Sequence, residues 1–213
     1  LVVTEERMGY RGALRVFNIN RDPSSWKKQE TEPMRTITFS GSKATVASFD
    51  VFDKHILTGH ENGKVALYAH DTEEGESGID AELEIHQVKA HTENVTDLQL
   101  GWDGTYIVTS SKDKTAHIID ASTLDVIKTY ATDTPLNSAI SLPTRPYVVM
   151  GGGQEAMSVT TTSARQGKFE SRFWHKIFEE ECARLPGHFG PINTLAVHPT
   201  GNAYASGGED GYV

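Results

Sequence analysis

A motif repeated at a fixed internal interval restricts this chain more than any other feature. Ala90-His91-Thr92-Glu93-Asn94-Val95 opens one copy, and Gly187-His188-Phe189-Gly190-Pro191-Ile192 opens the second. His91 precedes Asp113 by 22 residues, and His188 precedes Asp210 by the same 22. Four positions before each Asp stands a hydroxyl residue, Thr109 in one copy and Ser206 in the other. Val95-Thr96-Asp97-Leu98-Gln99-Leu100 and the run from Ile192 to Val197 alternate in the period of a half-buried strand. Asp103-Gly104 and Thr200-Gly201 supply turn residues between hydrophobic runs. Each Asp then falls in the next tight turn, within reach of the His, which in turn reaches the hydroxyl. Such a chain ties one loop to two strands, and it stabilises only when every member is hydrogen-bonded. The pattern predicts an all-β repeat architecture. Its candidate structural hydrogen-bond sets are His91, Thr109 and Asp113, and His188, Ser206 and Asp210.

Weaker copies fill the remainder. Thr58 holds the hydroxyl place before Asn62-Gly63-Lys64, and Glu155 holds the turn place in Gly151-Gly152-Gly153-Gln154-Glu155-Ala156-Met157. An earlier copy runs through Gly12-Ala13-Leu14-Arg15-Val16-Phe17-Asn18. Turn positions 62, 113, 155 and 210 lie 51, 42 and 55 residues apart. A propeller blade takes about 40–45 residues. Two intervals therefore carry insertions, assigned here to residues 72–80 and 165–181. The pattern resembles WD repeats, which form β-propellers. The likeness is strong in the His91 and His188 copies, whereas Ser40 and Asp133 stand where two other copies expect His. The Trp-Asp pair is replaced by Ile119-Asp120, Phe17-Asn18 and Tyr68-Ala69. The expected blades are residues 1–35 (partial), 36–88, 89–131, 132–186 and 187–213 (partial). Because a propeller closes its ring to remove sheet edges, the chain reads as about five blades of a seven-bladed ring, entered and left mid-blade.

Composition bounds the setting. Hydrophobic content of 37% and charged content of 23% are ordinary for a soluble globular protein. No apolar run approaches the roughly 20 residues of a membrane helix, so no membrane contact is expected. Leu1-Val2-Val3-Thr4 reads as a strand, too short for a signal peptide of about 15–30 residues. The single cysteine, Cys182, excludes an internal disulfide and fits a reducing compartment, so the expected location is cytoplasmic. Net charge is −9, with Lys and Arg scattered. Proteins that grip phosphates carry a basic stripe, so direct nucleic-acid binding is not expected, and a basic protein partner is. Asn94-Val95-Thr96 matches a glycosylation sequon but reads as a chance match in a cytosolic chain.

His, Ser or Thr, and Asp in one unit also invite a catalytic-triad reading. A single active site does not need two sets at one interval, and neither has an evident oxyanion hole or nucleophile elbow. The sets read as fasteners, and the chain as a non-enzyme without catalytic residues. Gly151-Gly152-Gly153 lacks the following Lys and helix of a phosphate loop, and the β-branched run from Val159 to Thr162 predicts a strand. Those glycines therefore read as close packing. Cys182, His188 and His175 lack a paired Cys-x-x-Cys, so no metal or cofactor is expected, and Cys182 reads as a buried apolar residue. Trp174, Ile177, Phe178, Cys182 and Leu185 follow helical intervals, whereas a blade needs an outer strand before His188. Phe173 to Leu185 is accordingly read as a loop with helical character entering a strand near Glu180 to Leu185.

A further series lies beyond generic blade chemistry. Gly151 to Met157 is followed by Val159-Thr160-Thr161-Thr162-Ser163, Gly167-Lys168-Phe169-Glu170 and Phe178-Glu179-Glu180-Glu181. Gly187 to Asn193 comes next, and Ser206-Gly207-Gly208-Glu209-Asp210-Gly211-Tyr212-Val213 closes the series. In order and spacing it resembles the C-terminal portion of the subunit i family of eukaryotic translation initiation factor 3, from Met8-Gly9-Tyr10-Arg11-Gly12 to the end. The resemblance implies a seven-bladed scaffold that docks subunits b and g. It also implies support of pre-initiation complex assembly and scanning on the small ribosomal subunit, reached through the complex. Asp103, between the first and second strands of its blade, and Asp120, at the end of the third, fall toward one rim. With Ile118 between strands, they are the expected seat of a basic amphipathic helix from subunit b. Gln154 is added as a partner-surface residue from the family signature. The alternative is a WD-repeat adaptor of another cytoplasmic signalling complex, with a hydrolase using His91 or His188 as a contrast.

Overall fold

The computed structural model describes residues 2–5, 12–19, 22, 24, 31–70, 78–79, 84–153 and 169–213. Its described strands assemble into five sheets set side by side, the blades of a WD-repeat β-propeller. In the first sheet, β1 (Val2–Glu5), β2 (Ala13–Val16) and β3 (Arg35–Thr38) are antiparallel neighbours. The second sheet takes β4 (Ala44–Phe49), β5 (His55–His60) and β6 (Lys64–Ala69). A two-residue strand that follows, β7 (Gly78–Ile79), crosses to pair in parallel with β3 of the first sheet. β8 (Glu84–Lys89) then completes the second sheet against β6.

The third sheet is β9 (Val95–Leu100), β10 (Tyr106–Ser111), β11 (Thr115–Asp120) and β12 (Val126–Ala131). The fourth is β13 (Leu136–Ser141), β14 (Tyr147–Gly152), β15 (Glu170–His175) and β16 (Glu181–Pro186). The fifth consists of β17 (Ile192–Val197) and β18 (Tyr204–Gly208). The inner strands β4, β9, β13 and β17 pack one against the next.

The core lies between blades, in layers, because the middle strands are apolar on both faces. In β10, Ile107 packs toward the second sheet with Leu57, Val65 and Ile119. Its neighbour Val108 packs the other way, with Ile118, Leu136 and Val148. A strand buried on both sides reads as a continuous apolar run, whereas the outer strands alternate with exposed residues. Glycine serves this packing in β14: a Cβ on Gly151 would meet Ile192 and Leu195, and one on Gly152 would meet the carbonyl of Pro135.

Three sequence expectations change. Phe173 to His175 belong to β15, and residues 176–180 form a tight turn into β16, so the helical spacing is that of a hairpin. Tyr147↔His175 and Phe173↔Ala183 pairing satisfies the backbone groups that a helix would have satisfied internally. β14 ends at Gly152 and β15 begins at Glu170, so the extra length of this blade falls at residues 153–169 rather than at 165–181. Cys182 is exposed, because it sits on the outermost strand. Gln154, Glu155 and the run 159–163 lie outside the described residues. Among the described residues, no helix is long and apolar enough to cross a membrane.

Candidate functional site

The repeated polar sets converge as side chains. In the third blade, His91 Nδ1 lies 3.2 Å from Asp113 Oδ2, and Nε2 lies 2.9 Å from Thr109 Oγ1. The carboxylate can only accept, so Nδ1 carries the proton and Nε2 accepts from the Thr109 hydroxyl. Asp113 also receives the Thr92 and Thr115 backbone N–H groups, each at 2.9 Å, and the Thr115 hydroxyl at 2.6 Å. Burial raises the Asp113 pKa, but those bonds and His91 outweigh it and hold the group below the usual carboxylate value. Burial and the neighbouring His117 push His91 down to about 4. In the fifth blade, His188 Nδ1 is 3.1 Å from Asp210 and Nε2 is 2.9 Å from Ser206 Oγ. The Phe189 N–H caps Asp210 at 2.8 Å and, as the leading cause, lowers its pKa. The connectivity matches a hydrolase triad, but Thr109 is fully buried, which closes the first set to substrate.

Two blades fill the same place with chemistry that the spacing did not predict. In the second blade, where Ser40 replaces the loop His, His60 at the end of β5 supplies the imidazole. Its Nε2 meets Thr58 Oγ1 at 2.9 Å, and Nδ1 donates to the Ser42 carbonyl at 2.9 Å. The signal was available: residues two apart in a strand share a face. In the fourth blade, Asp133 stands at the His place and pairs with the guanidinium of Arg172 in β15, whose side chain is 3% exposed. Nothing in the local pattern of β15, where Glu170 and Ser171 precede Arg172, marks that Arg as buried.

A second kind of fastener joins inner strands. The side chain at the second position of each donates to the first carbonyl of the next: Thr45 to Val95 at 2.5 Å, Thr96 to Leu136 at 3.0 Å, and Asn137 to Ile192 at 2.9 Å. Beside them, Asp97 accepts from Ser138 Oγ at 2.5 Å and Gln99 Nε2 at 3.0 Å, while Ser138 Oγ accepts from the Leu195 N–H at 3.1 Å. Three consecutive blades meet through that carboxylate. Burial raises its pKa against the lowering effect of its hydrogen bonds.

The opposite rim carries the turns between first and second strands and between third and fourth. The Ala121 N–H donates to the Thr105 carbonyl at 3.0 Å, which brings the turns of Asp103 and Asp120 together. Thr105 donates to Asp103 from its backbone N–H at 3.1 Å and its hydroxyl at 2.9 Å, and that backbone bond is the main reason the pKa of Asp103 is lowered. The Ser122 hydroxyl does most to lower Asp120, from 2.7 Å. Ile118, expected beside them, is 7% exposed and packed between blades, so it presents no contact surface. The strand alternation that turns Ile119 toward one neighbouring blade turns Ile118 toward the other. Exposed apolar side chains on this rim are instead Val51, Phe52, Trp102, Ile177 and Phe178. Gly104, at φ 71°, leaves room for Val51, so the second and third blades join there. Lys176 links the third and fourth: its ammonium donates to the Tyr106 hydroxyl oxygen at 3.3 Å, and its carbonyl accepts from the Tyr130 hydroxyl at 2.9 Å. Gln154 falls outside the described residues, and no group of three or more metal-ligating side chains occurs among the described ones.

Comparison with known proteins gives one family. The family profile described as EIF3I matches residues 1–213. "Eukaryotic translation initiation factor 3 subunit I" of Mycosarcoma maydis is 70% identical over 213 residues, covering 100% of this chain and 61% of the relative. The proteins of that name from Sclerotinia sclerotiorum and Aspergillus oryzae are 54% and 52% identical, again over 100% of this chain and 61% of their own length. The chain thus spans about three-fifths of the length of the curated relatives it matches.

Proposed function

Because the chain belongs to the EIF3I family, we propose that it is part of a non-catalytic scaffold subunit of eukaryotic translation initiation factor 3. In this reading it works in the cytoplasm, docks subunits b and g, and supports pre-initiation complex assembly and scanning on the small ribosomal subunit. It forms one propeller fragment with blades near residues 1–35, 36–88, 89–131, 132–186 and 187–213. The observation that carries the docking role is the joined pair of turns holding Asp103 and Asp120 beside exposed Trp102, Ile177 and Phe178. Carboxylates held in the ionised form by turn donors attract and register Lys or Arg, while the apolar side chains supply contact area. A basic amphipathic helix of subunit b fits that combination.

The test is charge reversal in the full-length protein. Asp103→Lys with Asp120→Lys weakens capture of subunit b at least about tenfold, the scale of a lost charge pair at an interface, and more than Asp103→Ala with Asp120→Ala, which loses the same turn hydrogen bonds without reversing charge. Undiminished capture refutes the docking site.

A further inference from the structure

The third blade contains a second buried imidazole that its fastener does not require. His117 of β11 is 7% exposed, and its ring centroid lies 4.3 Å from that of His91. Its Nδ1 is 3.0 Å from Thr129 Oγ1 on the outermost strand, and its Nε2 is 3.3 Å from Thr115 Oγ1. Proton accounting closes for two neutral rings. Thr115 gives its hydroxyl proton to Asp113, so its oxygen can accept from His117 Nε2–H, and His117 Nδ1 can then accept from the Thr129 hydroxyl. The polar chain thereby runs from Thr109 through His91, Asp113, Thr115 and His117 to Thr129, across three strands of one blade.

We propose that this imidazole pair makes β12, the outer strand of the third blade, an acid-released element: proton uptake by His117 favours the open strand over the paired one. Two rings in van der Waals contact share one carboxylate, Asp113, which already accepts from His91 and Thr115. A proton on His117 therefore gains only the Lys128 and Ala90 carbonyls and the shared Asp113 charge, in a buried site beside a second ring, whereas detachment of β12 gives the cation water. The titratable groups facing His117 are His91 from the loop and Asp113 from the turn. Lys128 and Ala90 offer backbone carbonyls, and burial, the leading cause, lowers the ring's pKa. The Lys128 ammonium is engaged with Glu179 of the next blade at 2.8 Å. From the second blade, Val65, Leu67 and Val88 pack against this face, and the pairing register sets His86 on the same side at its outer edge.

The outer strands β8 and β16 provide internal controls. Hydrogen exchange is followed in full-length protein at pH 7.5, 6.5 and 5.5, corrected for intrinsic amide rates. The opening constant of residues 126–131 rises about fivefold between pH 6.5 and 5.5, the change for one proton taken up on opening by an imidazole of ordinary pKa, about 6.5, while β8 and β16 stay flat. His117→Gln keeps a donor and an acceptor but cannot titrate, and it flattens the β12 response. Parallel loosening of all three outer strands overturns the proposal even where the variant does not fold. An unchanged slope in a folded His117→Gln protein overturns it equally.

Discussion

His91→Ala tests the fastener with a magnitude that can be worked out. The side chain of His91 is fully buried, donates to Asp113 and accepts from Thr109. Truncation removes a hydrogen bond to a carboxylate and strands the Thr109 hydroxyl, each costing about 1–3 kcal/mol. The void left by the ring adds to this, for a total of roughly 3–5 kcal/mol near pH 7.5. Part of that total depends on pH. The folded pKa of about 4 lies below the ordinary imidazole value of 6.5, so the unfolded chain takes the proton first as pH falls. Stability carried by the neutral ring is complete above the unfolded pKa and is lost progressively as pH falls from there toward the folded one. At pH 5 the parent protein has given up about 2 kcal/mol through this ring, a loss that the alanine variant cannot suffer. The gap between the two therefore narrows by that amount. Urea titrations of both full-length proteins at pH 7.5 and pH 5 measure it. A gap below about 1 kcal/mol at pH 7.5, the size of an average point substitution, would show that the ring is not a fastener. A gap equal at both pH values would show that it is not held neutral.

Two further substitutions separate the other joints. Asp133→Ala leaves the Arg172 guanidinium buried without its carboxylate and costs about 2–4 kcal/mol in urea unfolding, and adding Arg172→Met recovers most of it. Ser138→Ala deprives Asp97 of a donor and the Leu195 N–H of its acceptor, costing about 2 kcal/mol and raising exchange at Leu195 before exchange elsewhere in β17.

Periodicity made the blades readable because a strand buried on one face must alternate, and the 22-residue interval located two fasteners because a loop, a strand and a turn must meet at fixed chain distances. The same logic fails where the donor moves. His60 reaches the fastening place from within its own strand, and Arg172 reverses the charge sense of the pair, so neither keeps the interval. Asp97 looked like the polar half of an alternating strand. Its partner Ser138 is 41 positions away, and the Leu195 N–H that donates in turn to Ser138 is 98 away, neither brought near by any local pattern. Ile118, expected between strands beside Asp103 and Asp120, is buried instead, because a middle strand of a blade has no free face. The hairpin at residues 170–186 was obscured by aromatic residues that repeat at helical spacing while serving opposite faces of paired strands.

The two rims dispose of their polar groups differently, and that difference is the basis for proposing one of them as the docking face. On the His rim, the polar groups are used against one another: imidazole, carboxylate and hydroxyl in the third and fifth blades, imidazole, hydroxyl and carbonyl in the second, and carboxylate and guanidinium in the fourth, so an approaching ligand would have to break those bonds. On the other rim, Asp103 and Asp120 are satisfied by donors of their own turns, which stabilise the ionised form without an internal cation. Such a carboxylate keeps lone pairs toward solvent, so an incoming Lys or Arg adds to its coordination rather than competing for it. The field is diluted by Lys176 nearby, which argues against charge alone as the source of affinity. Trp102, Ile177 and Phe178 stand exposed where the turns of the third and fourth blades adjoin, and burying them releases water whatever the ionic strength. Charge would then set which segment docks and in what register, and aromatic contact would hold it. Neither half suffices alone, because exposed carboxylate pairs are weak in salt and bare aromatic patches do not discriminate among partners.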